Sequence, residues 1–276
     1  MIAGFSIAVL LGLTVGLLIT GAIAGVLAGL LGVGGARVIV PVLIIVAEVF
    51  NIPQEVAMLT VVGTSLATIT PTSISSARAH KKRGAIDRDI LRGWLPAIFL
   101  GALLGGIASK TLGSDGLTLI FGSVALVVAI NLALPKPIVL SDQPLATRVG
   151  QSAVALPIGF ISALMGIGGG TLAVPVMTIM SVAVHRAIAT ASVFGLAIAV
   201  PAVCGFIWNG IGVDGRPPAS LGFVNVPAAV ILFSMSVLTA PLGAKLAHSL
   251  DARPLKLAFA VFLAISGARM LWKSFA

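Results

Sequence analysis

The chain contains the stretch Gly32-Val33-Gly34-Gly35-Ala36-Arg37-Val38-Ile39-Val40-Pro41, and a closely similar stretch follows in its second half. The second copy reads Gly166-Ile167-Gly168-Gly169-Gly170-Thr171-Leu172-Ala173-Val174-Pro175, so the copies lie 134 residues apart (166 minus 32). We call residues 32–35 the first glycine knot and residues 166–170 the second. Each knot lies in a long uncharged stretch, at 1–36 and 149–184. A repeat of this length in an apolar chain indicates a duplicated membrane unit rather than a solenoid of short modules.

The composition is typical of a membrane protein. Of the 276 residues, 58% are hydrophobic and 9% are charged, and the mean hydropathy is +1.17. This leaves too little polar surface to cover a water-soluble globule of this size. Further uncharged runs, near or above the roughly 20 residues that cross a bilayer as a helix, lie at 56–77, 93–109, 116–135, 187–213 and 217–244. These runs are apolar on every side, which favours helices over a β-barrel, so the predicted fold class is all-α and polytopic.

The duplication extends over nearly the whole chain. Residues 105–112 match residues 243–250 at an offset of 138 (243 minus 105), and Thr64 lies opposite Thr190. We therefore predict a first membrane repeat at 1–134, a Pro-rich polar linker at 135–148 and a second membrane repeat at 149–276. Five segments per half place helices at 5–31, 37–50, 56–78, 92–111, 116–134, 149–167, 171–184, 187–209, 224–247 and 255–273.

Two arrangements of these eight to ten helices remain open. If every segment crosses the membrane, an odd number per half inverts the second copy. If the short segments 37–50 and 171–184 are re-entrant, eight crossings remain and the halves are parallel. The distribution of basic residues scarcely separates the two. Inverted repeats are favoured, because interrupted segments at equivalent places are a recurrent transporter design.

The net charge of +9 comes from seventeen Lys and Arg against eight Asp and Glu. Six of the basic residues lie in one connection at 78–92, as the positive-inside rule expects of a cytoplasmic loop. Anionic lipid headgroups are therefore the expected neighbours, and a nucleic-acid partner is not expected. The sequence indicates no particular oligomeric state.

The glycine knots are the candidate binding site. The first amides of a helix lack internal partners and the helix dipole makes that end electropositive, so helices that begin at Gly34-Gly35 and Gly169-Gly170 suit an anion. Arg37 can clamp an oxyanion, and its counterpart Thr171 offers a hydroxyl donor. The predicted substrate-binding residues are Gly32, Gly34, Gly35, Arg37, Thr64, Ser65, Gly166, Gly168, Gly169, Gly170, Thr171 and Thr190. The competing interpretation is that the glycines only pack helices and that Arg37 extends to the headgroups.

Other features have structural interpretations. Gly21, Gly25 and Gly29 recur every fourth residue, which predicts a face for close helix packing. Glu48 and Glu55 are expected in the headgroup layer. The three tryptophans, Trp94, Trp208 and Trp272, lie at predicted helix ends and are expected in an interfacial aromatic belt.

Several chemistries are not expected. No phosphate-binding lysine follows the first knot, so it is not a P-loop. Neither a His-rich or carboxylate-rich metal cluster nor a Ser-His-Asp set is visible at membrane depth. We therefore expect no metal, no cofactor and no enzyme.

The motifs taken together resemble the TauE/SafE sulfite-exporter family. The resemblance rests on the paired knots, each followed by Val-Pro, on residues 61–66 (Val-Val-Gly-Thr-Ser-Leu) and on the loop at 78–87 (Arg-Ala-His-Lys-Lys-Arg-Gly-Ala-Ile-Asp). It spans essentially the whole chain. The resemblance implies a multi-pass permease of a bacterial inner membrane that exports sulfite, sulfoacetate or other organosulfonates.

Combined with the knots, the resemblance predicts an exporter that works by alternating access between the two repeats. Two alternatives stay open. One is proton- or cation-coupled uptake of another small organic anion, which would need a buried carboxylate and for which only Glu48 and Glu55 are available. The other is a membrane scaffold that transports nothing.

Overall fold

The computed structural model describes residues 7–32, 35–134, 148–247 and 253–275, and these residues are almost entirely helical. The helices are α1 (Ile7–Leu31), α2 (Ala36–Val49), α3 (Gln54–Lys81), α4 (Arg88–Ala133), α5 (Arg148–Leu164), α6 (Gly170–Ile179), α7 (Val184–Gly210), α8 (Val226–Leu246) and α9 (Arg253–Phe275). A short antiparallel hairpin of β1 (Ser220–Leu221) and β2 (Val224–Asn225) precedes α8. Within the described ranges, five helices are long and apolar enough to span a membrane: α1, α3, α4, α7 and α8. The predicted all-α polytopic fold is confirmed, whereas the predicted linker lies almost wholly outside the described residues.

The helix α4 contains two of the predicted segments. Gly113, with φ 63° and ψ −175°, breaks the helical run between them. We call residues 88–112 the first limb and residues 114–133 the second limb. Asn209 donates to Ser109 near the end of the first limb, and Leu132 of the second limb packs with Leu30 and Leu31 at the end of α1. The chain therefore reverses at Gly113, where a glycine tolerates the left-handed φ.

The basic loop is shorter than predicted. The helix α3 continues to Lys81 and α4 begins at Arg88, so the connection is 82–87 rather than 78–92. The carboxylate of Asp87 accepts hydrogen bonds from the amides of Asp89 and Ile90, at 3.0 and 3.2 Å. This cap stabilises the start of α4 four residues before the predicted helix start at 92, which hydrophobicity alone does not indicate.

The first helix of each half packs against the fourth helical segment of the other half. These pairs are α1 with α8, and α5 with the first limb of α4. Gly21, Gly25 and Gly29 of α1 face Leu232, Ser236 and Ala240 of α8, so a Cβ at any of them would overlap the backbone of α8. The predicted packing role of these glycines is confirmed. Residue numbers rise together on both helices, so α1 and α8 run parallel. Glycines at 101, 105 and 159 bring the first limb of α4 and α5 together in the same way.

Two further helix pairs run antiparallel at the centre of the molecule. Gly63 of α3 lies near Phe206 of α7, whereas Gly195 of α7 lies near Ser73 of α3. On the second limb of α4, Gly122 lies against Leu271 of α9, whereas Gly267 of α9 lies near Ala125. Since a higher number on one helix meets a lower number on its partner, the paired helices run in opposite directions.

The two ends of the bundle differ in charge. On the side of the 82–87 loop, which we call the basic side, His80 Nε2 lies 3.0 Å from the carbonyl oxygen of Gly29, and Arg83 donates to the carbonyl of Ala244. The opposite side holds the end of α2, the end of α9 and the β-hairpin. There Arg269 forms an ion pair with Glu48, with 2.7 Å between nitrogen and oxygen.

Two of the tryptophans predicted for an aromatic belt are exposed, and the third is buried. Trp208 and Trp272 are 79% and 77% exposed, as expected of side chains that reach lipid headgroups. Trp94 is 3% exposed and stacks on Phe194 of α7, with ring centroids 6.0 Å apart. Because α4 begins at Arg88, Trp94 lies in its second turn and faces the neighbouring helix rather than the interface.

Candidate functional site

The first glycine of each knot ends a helix in the same way. Gly32 has φ 67° and Gly166 has φ 66°, a left-handed conformation that ends helices and favours glycine. A Cβ on Gly32 would overlap the carbonyl of Ile188 on α7, and a Cβ on Gly166 would lie 3.0 Å from Cα of Val62 on α3. Each knot is therefore held against the third helix of the other half.

The later glycines of the knots lie where the short helices begin. Gly35 is the N-cap of α2 and Gly169 is the N-cap of α6, and neither helix has a side-chain cap. The buried Gly168 accepts a hydrogen bond from the amide of Thr171 at 3.3 Å, and Gly170 is the first residue of α6. Gly34 lies outside the described residues. The predicted helix starts are thus present within the protein interior.

Arg37 and Thr171 contact each other between the knots. Arg37 is 4% exposed and Thr171 is 2% exposed. The Nε of Arg37 donates to Oγ1 of Thr171 at 3.2 Å, and one terminal nitrogen reaches the carbonyl oxygen of Thr171 at 3.5 Å. The two residues are 134 positions apart, which is the repeat offset of the knots. Arg37 therefore meets its own counterpart where the two halves come together.

The guanidinium of Arg37 has no carboxylate partner in the part of the chain that the structure describes. Its other neighbours around a small cavity are apolar and include Phe121, Ala125 and Leu263. That cavity has a volume of about 10 Å³, which is near the minimum that holds one water molecule. The site is closed in this conformation, and a buried cation lies in it without a counter-charge.

The predicted hydroxyl donors are only partly brought to this place. Oγ of Ser65 donates to the carbonyl of Gly166 at 2.7 Å, so Ser65 supports the second knot with its one proton. Oγ1 of Thr64 accepts from the amide of Asn225 at 2.9 Å, and Oγ1 of Thr190 accepts from the amide of Asp87 at 3.0 Å.

Thr64 and Thr190 thus bind the N-cap residues of α8 and of α4. Gly63 packs on Phe206, which lies sixteen residues beyond Thr190 on α7 (206 minus 190). That separation corresponds to about 24 Å along the helix. Of the predicted residues, the structure brings Arg37 and Thr171 into contact and places Ser65 on the second knot. Thr190 lies near the first knot instead, two residues after Ile188, on which Gly32 packs.

The comparison with protein families agrees with the motif analysis. The model for "Sulfite exporter TauE/SafE" matches residues 17–270. The chain belongs to the TauE/SafE family. A "Probable membrane transporter protein" of Haemophilus influenzae is 33% identical over 263 residues, which cover 93% of this chain and 97% of the relative. The "Probable membrane transporter protein YunE" of Bacillus subtilis is 26% identical over 276 residues, covering 93% of this chain and 97% of the relative.

No solved structure matches the chain. The names of the TauE/SafE family and of these relatives support membrane transport as the activity of this chain. Together with the apolar helices, they support a multi-pass membrane protein. They describe transporters rather than enzymes, which is compatible with the expectation of a non-enzymatic protein.

The sequence analysis missed a larger cavity of this TauE/SafE protein. It has a volume of about 310 Å³ and lies on the opposite side of the bundle, between α2, α3, the second limb of α4 and α9. Glu48 and Arg269 line it, together with Asp115. Glu48 had been expected in the headgroup layer. Arg37, Ile44 and Glu48 are spaced by seven and four residues, so they lie on one face of α2. This spacing is the sequence signal that could have predicted a surface common to Arg37 and Glu48.

A second missed feature is a row of buried polar side chains on α3. Its members recur every fourth residue, so they form a continuous ridge that winds slowly around the helix, and each is at most 4% exposed: Thr60, Thr64, Thr68, Thr72, Ser76 and His80. Oγ1 of Thr72 lies 2.8 Å from Oγ of Ser236 on α8, and Oγ of Ser76 donates to the carbonyl of Ala28 at 3.2 Å. The four-residue period of these hydroxyl residues is visible in the sequence and is the signal that could have predicted the ridge.

Proposed function

We propose that the protein exports a small sulfur oxyanion, such as sulfite, sulfoacetate or another organosulfonate, by alternating access. The observation that carries this proposal is the buried guanidinium of Arg37, which lies between two helix starts and, among the described residues, hydrogen-bonds only to Thr171. A buried cation without a counter-charge is costly, and an oxyanion would supply that charge. The match to a sulfite-exporter family favours sulfur anions as substrates and export as the direction.

The proposed binding geometry uses groups from both halves. A transported oxyanion would take two hydrogen bonds from Arg37 and one from the hydroxyl of Thr171, which now accepts from Arg37. The helix starts at Gly35 and Gly169 would add the favourable ends of two dipoles. Because the cavity here is about 10 Å³, binding requires that the two halves move apart. We therefore assign the present conformation to a closed state of the transport cycle.

We further infer that the halves are inverted repeats of five segments each, divided as predicted at 1–134 and 149–276. Ten alternating crossings make α1 and α8 parallel and make both α3–α7 and second limb–α9 pairs antiparallel, as in the packing described above. Eight crossings with re-entrant α2 and α6 would make the last two pairs parallel. By the positive-inside rule, the basic side then faces the cytoplasm, and the membrane is a bacterial inner membrane.

This topology has a direct test. Lys110 and Asp214 lie near the ends of the first limb of α4 and of α7. In a Cys204→Ala background, we expect Lys110→Cys and Asp214→Cys to react with a membrane-impermeant thiol reagent from the same side, the outside of the cell. Labelling from opposite sides would contradict the inverted arrangement.

The alternative of carboxylate-dependent uptake is not favoured by the structure. Glu48, one of its two candidate carboxylates, is held by Arg269 at 2.7 Å.

Export is tested by sulfite efflux from loaded proteoliposomes. We expect Arg37→Met to abolish efflux because the counter-charge for the anion is lost. Arg186→Met is the matched control, since Arg186 is exposed and paired with Asp87 at 3.6 Å. If folded Arg37→Met protein exports sulfite at more than half the wild-type rate, the proposal is wrong.

A further inference from the structure

The larger cavity on the opposite side of the bundle contains both signs of charge. Arg269 and Glu48 form their ion pair at its rim, with side chains 49% and 33% exposed. Oδ1 of Asp115, at the start of the second limb of α4, lies 3.5 Å from Nε2 of Gln54. Among the described residues that line the cavity, two carboxylates and one guanidinium give a formal charge of −1. In this conformation the cavity is therefore unfavourable for an anion, although it contains an arginine.

The cavity is continuous in sequence and in packing with the site at Arg37. Ile44 and Glu48 line the cavity from the same face of α2 that carries Arg37. Arg37 and Glu48 are eleven residues apart (48 minus 37), which is about 16 Å along the helix. On the second limb of α4, Thr118 lines the outer cavity and Phe121, one turn further on, lines the small cavity beside Arg37.

The helix α9 follows the same order. Met270 lines the outer cavity and Leu263 lines the small one. Three helices thus line both sites, and the ring of Phe121, which lines the small cavity, is buried at 1% exposed. An anion that leaves Arg37 along this surface reaches Arg269 before it reaches open water.

We propose that Arg269 is the last protein ligand of the exported anion and that Glu48 expels the anion by taking its place on Arg269. This inference rests on the proposed function, since it requires an anionic substrate that leaves on this side. The structure records the end of that step, with the carboxylate on the guanidinium. Because Glu48 is tethered to α2, its local concentration at Arg269 is high, and a dilute external anion competes with it poorly. The ion pair thereby disfavours the return of the exported anion.

The test measures how external sulfite inhibits export. Cells that express the protein are loaded with sulfite, and efflux is followed at increasing external sulfite, with cells that lack the protein as background. Glu48→Gln removes the competing carboxylate and leaves Arg269 available. We expect the external sulfite concentration that halves efflux to fall about tenfold, as for one additional charged hydrogen bond.

Asp115→Asn is the matched control. It changes the charge of the cavity by the same amount, but it leaves the Glu48–Arg269 pair in place. A charge removed at a distance through water-exposed protein changes affinity only modestly, so we expect a shift of about twofold. Equal shifts in the two variants would mean that only the local field matters and would overturn the competition. An unchanged half-inhibiting concentration in Glu48→Gln would overturn it as well.

A variant of the other partner provides an independent test if Glu48→Gln does not fold. In Arg269→Gln, external sulfite should inhibit efflux at least tenfold less effectively, because its ligand is absent. Inhibition as in the wild type would overturn the assignment of Arg269. These failures leave the proposed function intact, because wild-type efflux remains. If wild-type cells release no more sulfite than cells without the protein, both the proposed function and this inference are wrong.

Discussion

The contact between Arg37 and Thr171 leads to a prediction about stability with an unusual sign. Replacing Thr171 by Val removes the Oγ1 acceptor at 3.2 Å but keeps the carbonyl oxygen at 3.5 Å. Hydrogen bonds to charged groups contribute about 1.5–3 kcal/mol, and this one is longer than the usual charge-assisted bond. We therefore expect Thr171→Val to lower the free energy of unfolding by about 1.5 kcal/mol.

Arg37→Met should act in the opposite direction. It replaces a buried, uncompensated cation with an apolar side chain, a change that is commonly neutral or stabilising. Without Arg37, the hydroxyl of Thr171 no longer accepts a hydrogen bond from a charged donor. In the Arg37→Met background, we expect Thr171→Val to change the free energy of unfolding by less than about 0.5 kcal/mol, so the two sites are coupled by about 1 kcal/mol.

The cycle can be measured by reversible unfolding in mixed detergent micelles. The fluorescence of Trp94 is the reporter, because this indole is buried against Phe194 whereas Trp208 and Trp272 are exposed. Thr178→Val is the matched control on α6, since its hydroxyl donates to Pro175 of the same helix. It should have the same effect with and without Arg37. If Thr171→Val destabilises both backgrounds equally, the hydrogen bond does not stabilise the protein and Arg37 is held by other contacts.

Substitutions at two pairs of glycines distinguish the cost of lost close packing from the cost of backbone strain. In each pair, the free energy of unfolding is measured by the same assay. Gly25→Val would overlap the facing backbone of α8, so we expect a loss of more than about 3 kcal/mol, whereas Gly16→Val has open space around its Cβ and should be nearly neutral. A stable Gly25→Val protein would contradict the close approach of α1 and α8. Gly32→Ala combines a positive φ with overlap on a carbonyl of α7, and Gly84→Ala has a positive φ with nothing within 4 Å. We expect Gly84→Ala to cost about 1 kcal/mol and Gly32→Ala at least 2 kcal/mol more, and equal losses would show that the first knot is not packed on α7.

The glycine periodicities were the most informative part of the sequence for the fold. A glycine every fourth residue on α1 predicted one close-packing face, because that spacing places residues on one side of a helix. The partner, α8, was not predictable, since it lies about 210 residues further along the chain. The early start of α4 was also not predictable from hydrophobicity, because the side chain of Asp87 caps the first amides of the helix before the apolar run begins.

The candidate site was predicted in part. The offset of the two knots placed Arg37 and Thr171 at equivalent positions, and the structure brings those two side chains into contact. Thr64 and Thr190 also occupy equivalent positions, but they lie on opposite ends of the antiparallel pair α3 and α7. Equivalence in a duplicated chain therefore implies contact only near the place where the halves meet, and two residues far from that place are carried apart.

The sequence by itself determined that this chain is an all-helical membrane protein of the TauE/SafE family, because uncharged runs of bilayer length and repeated glycine motifs are local properties of the chain. Only the tertiary structure decided which faces meet. The packing of α1 on α8 and of α5 on the first limb of α4, the burial of Arg37 and the ion pair of Glu48 with Arg269 all depend on contacts between residues more than 50 positions apart. Such contacts are selected by the packing of whole helices, and no local pattern of residues specifies them.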